Sequence, residues 1–453
     1  MINVSDLPEP MKYDTPEITN LGECTVAAVP IEQEDIYSVS LFYDTSTLKQ
    51  EELFDLVLYV NLLGTVSTTE RSKEEFDRES NLNGSISTGL SGTDFKEPFD
   101  RLYLEVSLGG FTKDFSNNLS LMEEMLTKSD YKMEEVQEIV QILKNNSDPS
   151  NISADKAAVT LARALSGTST GFEYYIMKGV HDYLTGIETA LSENDGAIEE
   201  LAERMKNIRD KIWHSDHMIM GIAASPEGIA EIKSECGKLI DSMPSGTGDD
   251  YRESYDYGIP DEKRVGIIVS SPLQSMCGGY ILEDSEFKGR YLPFLEALND
   301  RYIIPEMRYR NGAYGANVNY RIEKRVVSIG TSSDPNCKTT LEVLDEAPSA
   351  LREMSLTGED IDTYTVSAFN NVIKPMGDIS RAESGIYTFF AGNDPDYLIK
   401  IAEDMKKATL EDRNGAADVM EKVVGDGYFV MAGNKAKLEG DKDCFDTLFA
   451  LAE

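Results

Sequence analysis

The fold is indicated most clearly by one stretch, MRYRNGAYGA at residues 307–316. A predicted helix precedes it and should end near Pro305, because proline cannot continue the hydrogen bonding of a helix interior. A predicted strand follows it at residues 316–322. Glycine is typical of tight turns, and tyrosine is an ordinary strand residue. By its residues alone, the stretch is most simply a glycine-bearing turn that enters a β-strand.

The elements predicted around this stretch follow the same order twice along the chain. A strand, a second strand and a helix are predicted from residue 24 onward, and again after residue 260. Residues 244–260 separate the two copies and are rich in glycine, serine, aspartate and tyrosine, as linkers often are. The strands are predicted at 24–30, 36–43, 84–90, 101–108, 216–224, 264–270, 277–282, 316–322, 325–330 and 428–432, and the helices at 50–63, 72–82, 226–240, 288–302, 338–354, 357–374, 380–390, 396–408 and 415–424.

This pattern predicts an α+β fold with two homologous domains, at residues 1–260 and 261–453. Each domain should have a mixed or antiparallel sheet with helices on one face. A nearly continuous helical pattern from 117 to 212 predicts a large helical insertion in the first domain, at residues 112–213. The lead-in before residue 17 is polar, contains prolines and is expected to be extended.

Composition excludes several classes of function. The formal charge of −38, from 81 acidic and 43 basic residues, would repel nucleic-acid phosphates and anionic lipid. Such acidity is most simply a solvated surface, although a chamber that attracts basic peptides is the sharper alternative. No apolar run is long enough to span a membrane, and the first residues lack the pattern of a signal peptide. Five scattered cysteines form no C-x-x-C pair, which favours a reducing, cytoplasmic location.

The chain contains no complete catalytic set of its own. His214 and His217 flank Ser215 and Asp216 and could in principle hold a metal, but zinc usually needs a third protein ligand. A turn before the strand at 216–224 is the simpler interpretation of this pair. Neither a serine in a G-x-S-x-G elbow nor a G-x-x-x-x-G-K-[ST] phosphate loop occurs. We therefore predict no metal site and no cofactor site in this chain.

Arg308 followed by Gly312-Ala313-Tyr314-Gly315 resembles the "R-x-x-G-G-A-Y-G" signature of the presequence proteases, relatives of insulin-degrading enzyme and pitrilysin. Asn311 stands where the first of the two usual glycines is found. Other stretches are similar to family motifs in the same order and spacing. They are Leu341 to Leu351 (LEVLDEAPSAL), Phe42 to Ser46 (FYDTS) and Leu62 to Thr65 (LLGT).

This resemblance covers nearly the whole chain but only the C-terminal half of the family's length. It implies a clamshell enzyme of four homologous domains in two halves, whose first half carries an H-x-x-E-H motif and a distal glutamate around zinc. Aligning Gly64-Thr65 with the family's motif places Asp55, Leu58 and Tyr59 where His, Glu and His would stand. The zinc is thus expected in an N-terminal half that is absent from this sequence.

The resemblance also implies a role for two residues of the second domain. In the family, an arginine and a tyrosine reach across the chamber to the bound peptide, and the motif matches them to Arg308 and Tyr314. Arg310 is a competing candidate with a less suitable spacing. The chain is thereby expected to be the non-catalytic, substrate-enclosing half of a zinc metalloendopeptidase that degrades unfolded peptides, with the N-terminal half and peptides as partners. A stand-alone binding or assembly protein with the same fold is the alternative.

The beginning of the chain resembles the segment that follows the linker between the family's two halves. The similar residues are Ile2 to Pro8, INVSDLP. Met1 is then either the boundary of a truncated protein, which we favour, or the start of a separately encoded half.

Overall fold

The protein contains two six-stranded mixed sheets surrounded by helices, in a computed structural model that describes residues 3–10, 12–194, 196–246 and 248–451. Met1 and Ile2, on which the expected start depends, lie outside these residues, as does Thr247 of the predicted linker. The first sheet has the order β1-β2-β6-β3-β5-β4, and the second has the order β12-β7-β11-β8-β10-β9. The strands are β1 (Glu17–Leu21), β2 (Cys24–Pro30), β3 (Ile36–Asp44), β4 (Ser85–Ser91), β5 (Tyr103–Phe111), β6 (Ile219–Ala224), β7 (Arg264–Ile268), β8 (Gln274–Ile281), β9 (Gly315–Arg321), β10 (Val326–Asp334), β11 (Tyr428–Gly433) and β12 (Thr447–Ala450).

Five strands of each sheet correspond in order and direction. In the first sheet β2 runs parallel to β6, which is antiparallel to β3, followed by β5 and β4. In the second sheet β7 runs parallel to β11, which is antiparallel to β8, followed by β10 and β9. The predicted α+β fold with two homologous sheets is therefore confirmed. The exact domain boundary after residue 260 stays a prediction.

The sixth strand differs between the sheets, and the sequence pattern missed it in both. In the first sheet it is β1, from the lead-in, which pairs antiparallel with β2. In the second it is β12, near the end of the chain, which pairs parallel with β7. The expectation that the strand at 428–432 closes the fold was therefore wrong. Both edge strands are short and lack a fully buried residue, so they carry little of the alternation that identifies a strand.

The helices follow the predicted positions closely. For example, the Ser225 hydroxyl accepts from the Gly228 N–H at 3.1 Å and Pro226 occupies the first turn, as predicted for this start. The helices are α1 (Leu53–Leu62), α2 (Lys73–Asn83), α3 (Phe115–Thr127), α4 (Met133–Ser147), α5 (Ala154–Leu165), α6 (Phe172–Glu193), α7 (Ala197–Ile212), α8 (Pro226–Ser242), α9 (Leu292–Leu298), α10 (Lys338–Glu353), α11 (Gly358–Val372), α12 (Asp378–Phe390), α13 (Tyr397–Met405), α14 (Arg413–Asp426) and α15 (Lys435–Gly440).

Each sheet is covered on both faces. One face packs against helices of the same half, as predicted. The other face packs against a helix from the opposite half: α12 lies on β2, β3 and β6, and α5 lies on β8 and β11. Because side chains alternate along a strand, Val26 and Ala28 join the core of the first half, whereas Ala27 and Val29 contact α12. The exchange of α5 and α12 ties the two halves together.

The lead-in also crosses to the other half. Leu7 is buried in the core of the second half. Lys12 pairs with Asp396 at 2.6 Å, and the Arg381 guanidinium donates to Asp14 at 2.8 Å. The segment is therefore a strap that runs over the second half before it enters β1, which its polar sequence did not predict.

We expect Gly385→Ala to loosen this strap. A Cβ atom at Gly385 would lie 1.9 Å from the carbonyl oxygen of Asp14, so strap and helix α12 cannot keep their contact. Thermal unfolding should show a loss of about 1–3 kcal/mol, as for other overpacked sites. Gly425→Ala is the matched control, because a Cβ there meets nothing within 4 Å and alanine favours a helix. Equal midpoints for the two variants would show that the strap does not pack on α12.

The residues described here include no helix that is long and apolar enough to cross a membrane.

Candidate functional site

The helix before the 307–316 stretch does not end at Pro305. It continues from α9 as a π-helical segment, Asn299–Arg310, that contains the proline. In an α-helix the proline ring would clash with the carbonyl four residues earlier, and the wider π turn relieves this clash. The expected helix end near Pro305 was therefore wrong, and Arg308 lies in the last helical turn.

The turn that follows is fixed by glycine and by two buried anchors. Gly312 has a φ of +83°, in the left-handed region that favours glycine. Its N–H donates to the Arg308 carbonyl at 3.0 Å, and the Ala313 N–H donates to the Met307 carbonyl at 3.0 Å. Met307 and Ala313 are buried, so both ends of the turn are held by packing.

Tyr314 leaves this turn at the start of the edge strand β9. Its backbone N–H donates to the carbonyl of Ser332 at 3.1 Å. The next residue must be small, because a Cβ atom at Gly315 would lie 2.6 Å from the Ser332 hydroxyl oxygen. The backbone of Tyr314 is thus fixed while its side chain is 76% exposed.

Arg308 is also exposed, and its guanidinium lies 5.8 Å from the ring centroid of Tyr309, which is itself 73% exposed. Among the described residues, Arg308 has no carboxylate within ion-pair distance. Arg310, the competing candidate, differs in this respect because it pairs with Glu306 one turn earlier on the same helix. The free cation and the exposed phenols therefore belong to Arg308, Tyr309 and Tyr314.

Two residues that the sequence pattern did not single out hold this turn in place. The side-chain amide of Asn336 donates to the Asn311 carbonyl at 2.6 Å. The Asp334 carboxylate in turn accepts from the Asn336 N–H at 2.9 Å and from the Thr340 hydroxyl at 2.7 Å. Burial raises the pKa of Asp334, although these hydrogen bonds act in the opposite direction. The signal was the Asp-Pro-Asn sequence at 334–336, which is typical of a side-chain-stabilised turn.

The three residues aligned with the family's zinc motif do not form a zinc-ligand set. They lie on α1, where Leu58 and Tyr59 are buried in the core. The Tyr59 hydroxyl donates to the Leu126 carbonyl at 3.1 Å, and Asp55 is engaged by Arg204 and Tyr183. Leu58 has no donor atom and cannot serve as a base. This helix keeps the position of a catalytic helix and uses it for packing.

The histidine pair has no metal-binding surroundings in the described part of the chain. His217 adopts a left-handed conformation, with φ of 55°, in the turn before β6. No group of three potential metal ligands is found among residues 3–10, 12–194, 196–246 and 248–451. All five cysteines lie within these residues and are unpaired.

Two family models match the sequence at separate places. One describes the region associated with peptidases of family M16, subfamily C, and matches residues 1–181; the other, described as "PreP C-terminal domain", matches residues 275–434. Protein HypA of Clostridium perfringens is 20% identical over 426 residues, covering 90% of this chain and 42% of the relative. Presequence protease 1 of Arabidopsis thaliana is 19% identical over 459 residues, covering 97% of this chain and 41% of the relative. The chain thus spans about two fifths of the length of these relatives.

Solved structures show the same fold. Pitrilysin superposes with a TM-score of 0.68 at 15% identity, over 98% of this chain and 46% of pitrilysin. A structure described as the inactive domain of peptidase M16 from Pseudomonas fluorescens gives a TM-score of 0.62 at 14% identity, over 93% of this chain and 98% of that chain. Fold and sequence together define a protein of the M16, or insulinase, peptidase family. Within that family the chain is presequence-protease-like, and residues 275–434 match the family's C-terminal domain.

Proposed function

We propose that this chain is the non-catalytic, substrate-enclosing half of a zinc metalloendopeptidase that degrades unfolded peptides. The observation that carries the proposal is the contrast between two sites. On α1, the positions of a zinc motif hold Asp55, Leu58 and Tyr59, of which Leu58 and Tyr59 serve the core. At residues 307–316, by contrast, a rigid turn exposes an arginine without a counterion and a tyrosine without a packing role.

The chemistry of the two exposed residues suits a peptide substrate. A guanidinium binds a peptide carbonyl or a terminal carboxylate through several N–H donors in a fixed plane. A phenol can donate one hydrogen bond to the oxyanion that forms when water attacks a peptide carbonyl. In this proposal Arg308 positions the peptide and Tyr314 stabilises the developing negative charge. The fixed backbone around Gly312 keeps the donors in place before the substrate arrives.

The remaining parts of the enzyme are proposed to lie in an N-terminal half, attached to this chain or encoded separately. Zinc bound in that half would activate the attacking water and polarise the peptide carbonyl. The acidic surface of this chain would favour basic peptides and disfavour nucleic acids and anionic membranes. A cytoplasmic location remains part of the proposal.

In the enzyme that contains both halves, we expect Arg308→Ala to raise KM several-fold and to leave kcat nearly unchanged. The arginine is proposed to bind substrate and transition state alike, and loss of such a contact weakens binding without slowing the chemical step. Steady-state kinetics on a fluorogenic peptide measure both constants.

Arg310→Ala is the matched control, because it removes a cation two residues away that is already paired with Glu306. Exposed ion pairs of this kind contribute little, so this variant should stay close to wild type. If Arg310→Ala raised KM and Arg308→Ala did not, the assignment of the arginine would be wrong.

A further inference from the structure

A cavity of about 320 Å³ lies between α5 and α6, on the far side of α5 from the second sheet. One wall carries Lys156, Thr160 and Arg163. These residues are four and three positions apart on α5, so they share one face of the helix. The cavity belongs to neither the 307–316 turn nor the former zinc-motif helix.

The opposite wall is apolar. It is formed on α6 by Ile176, Met177 and Val180, again at helical spacing, with Phe172 at the start of the helix and Ile152 below. Four of these five side chains are buried, and Ile176 is half-buried. A pocket with one apolar wall and a few convergent polar groups is the usual form of a small-molecule site.

The charged groups at this cavity lack partners among the residues described. Neither Lys156 nor Arg163 has a carboxylate within 4 Å, and the buried Nε of Arg163 has no hydrogen-bond acceptor. One carboxylate oxygen of Glu173 is likewise buried without a donor. Buried polar atoms in native proteins nearly always have a partner, so these atoms indicate a missing ligand. Burial and the nearby Arg163 guanidinium lower the pKa of Arg321, which is consistent with excess positive charge here.

We propose that this cavity binds a small carboxylate that carries an apolar side chain. The carboxylate would pair with Arg163 and Lys156, and the side chain would lie against Ile176, Met177 and Val180. Two sources share this chemistry: a free α-amino acid, whose ammonium group would pair with Glu173, and the C-terminal residue of a short peptide.

Titration calorimetry of the 453-residue chain with three probes tests the proposal. The probes are L-leucine, N-acetyl-L-leucine, which lacks the ammonium group, and L-leucinamide, which lacks the carboxylate. Leucine or N-acetyl-leucine should bind with a Kd of about 0.1–1 mM, as expected for so few atoms, and leucinamide should bind at least about ten-fold more weakly. Preference for leucine over N-acetyl-leucine identifies the free amino acid; equal or tighter binding of N-acetyl-leucine identifies a peptide C-terminus. Equal binding of leucinamide, or no saturable binding of any probe, overturns the proposal.

Variants locate the site on the chain. Lys156→Gln combined with Arg163→Gln should weaken binding by about ten-fold or more, because charge-assisted hydrogen bonds are lost. Lys156 is exposed, so Lys156→Gln alone should show part of this loss without affecting folding. Lys178→Gln is the matched control, since Lys178 lies on α6 over the Tyr174 ring and not at the cavity. Wild-type affinity in Lys156→Gln, or an equal loss in Lys178→Gln, would overturn the assignment.

Discussion

Replacing Tyr314 with phenylalanine should lower kcat by about 10²–10³ in the enzyme that contains both halves, because one donor to the developing oxyanion is lost. Folding should not change, since the side chain is 76% exposed and the backbone contacts of the turn do not involve the hydroxyl. Zinc content should also stay normal, because Tyr314 is not a proposed ligand. Single-turnover kinetics with metal analysis on the same sample separate these effects.

Tyr309→Phe is the control for this experiment. Tyr309 is nearly as exposed as Tyr314 and lies next to Arg308, but it is not part of the matched motif. We expect it to be within about three-fold of wild type, because it makes no proposed contact with the reacting carbonyl. Full activity in Tyr314→Phe would instead support the simple interpretation, in which this stretch is only a turn that enters a strand.

The second large effect concerns stability. Phe390→Ala should destabilise the chain by about 3–5 kcal/mol, the usual cost of removing a buried phenylalanine. Phe390 is fully buried at the end of α12, with its ring centroid 5.9 Å from that of Phe42 on β3 and 5.4 Å from that of Phe95. The residue therefore joins the second half to the sheet of the first. Urea unfolding followed by circular dichroism measures the loss.

Leu82→Ala is the matched control, because Leu82 is 69% exposed on α2. A surface change of this kind should alter the free energy of unfolding by no more than about 0.5 kcal/mol. If Phe390→Ala were equally mild, α12 would not be docked on the first sheet, and the reciprocal packing of the halves would be wrong.

Most of the fold could be predicted because its central elements have clear periodicity. The alternation in β5 and the capped start of α8 are examples, since each depends on neighbouring residues alone. The strands β1 and β12 could not be predicted, because their stability comes from pairing with β2 and β7 and not from their own side chains. For the same reason no local pattern indicated that α5 and α12 exchange between the halves.

The site was found only in part. The motif around Tyr314 marks the turn, but it says nothing of the π-helical segment that carries Arg308, because proline ordinarily ends a helix. Nor could it reveal that Asn336, 25 residues after Asn311, holds the turn through a single hydrogen bond. The pairing of Arg310 with Glu306, which separates the two candidate arginines, required the structure.

The proposed division of labour is tested most directly by assaying the purified 453-residue chain for zinc and for peptidase activity on unfolded peptides. The proposal predicts less than stoichiometric zinc and no cleavage, because Leu58 and Tyr59 are packed in the core and cannot replace a base and a ligand. The same peptides should be cleaved when the zinc-bearing half is present, and cleavage should then depend on Tyr314. One tightly bound zinc per chain, together with peptidase activity of the chain alone, would contradict the account.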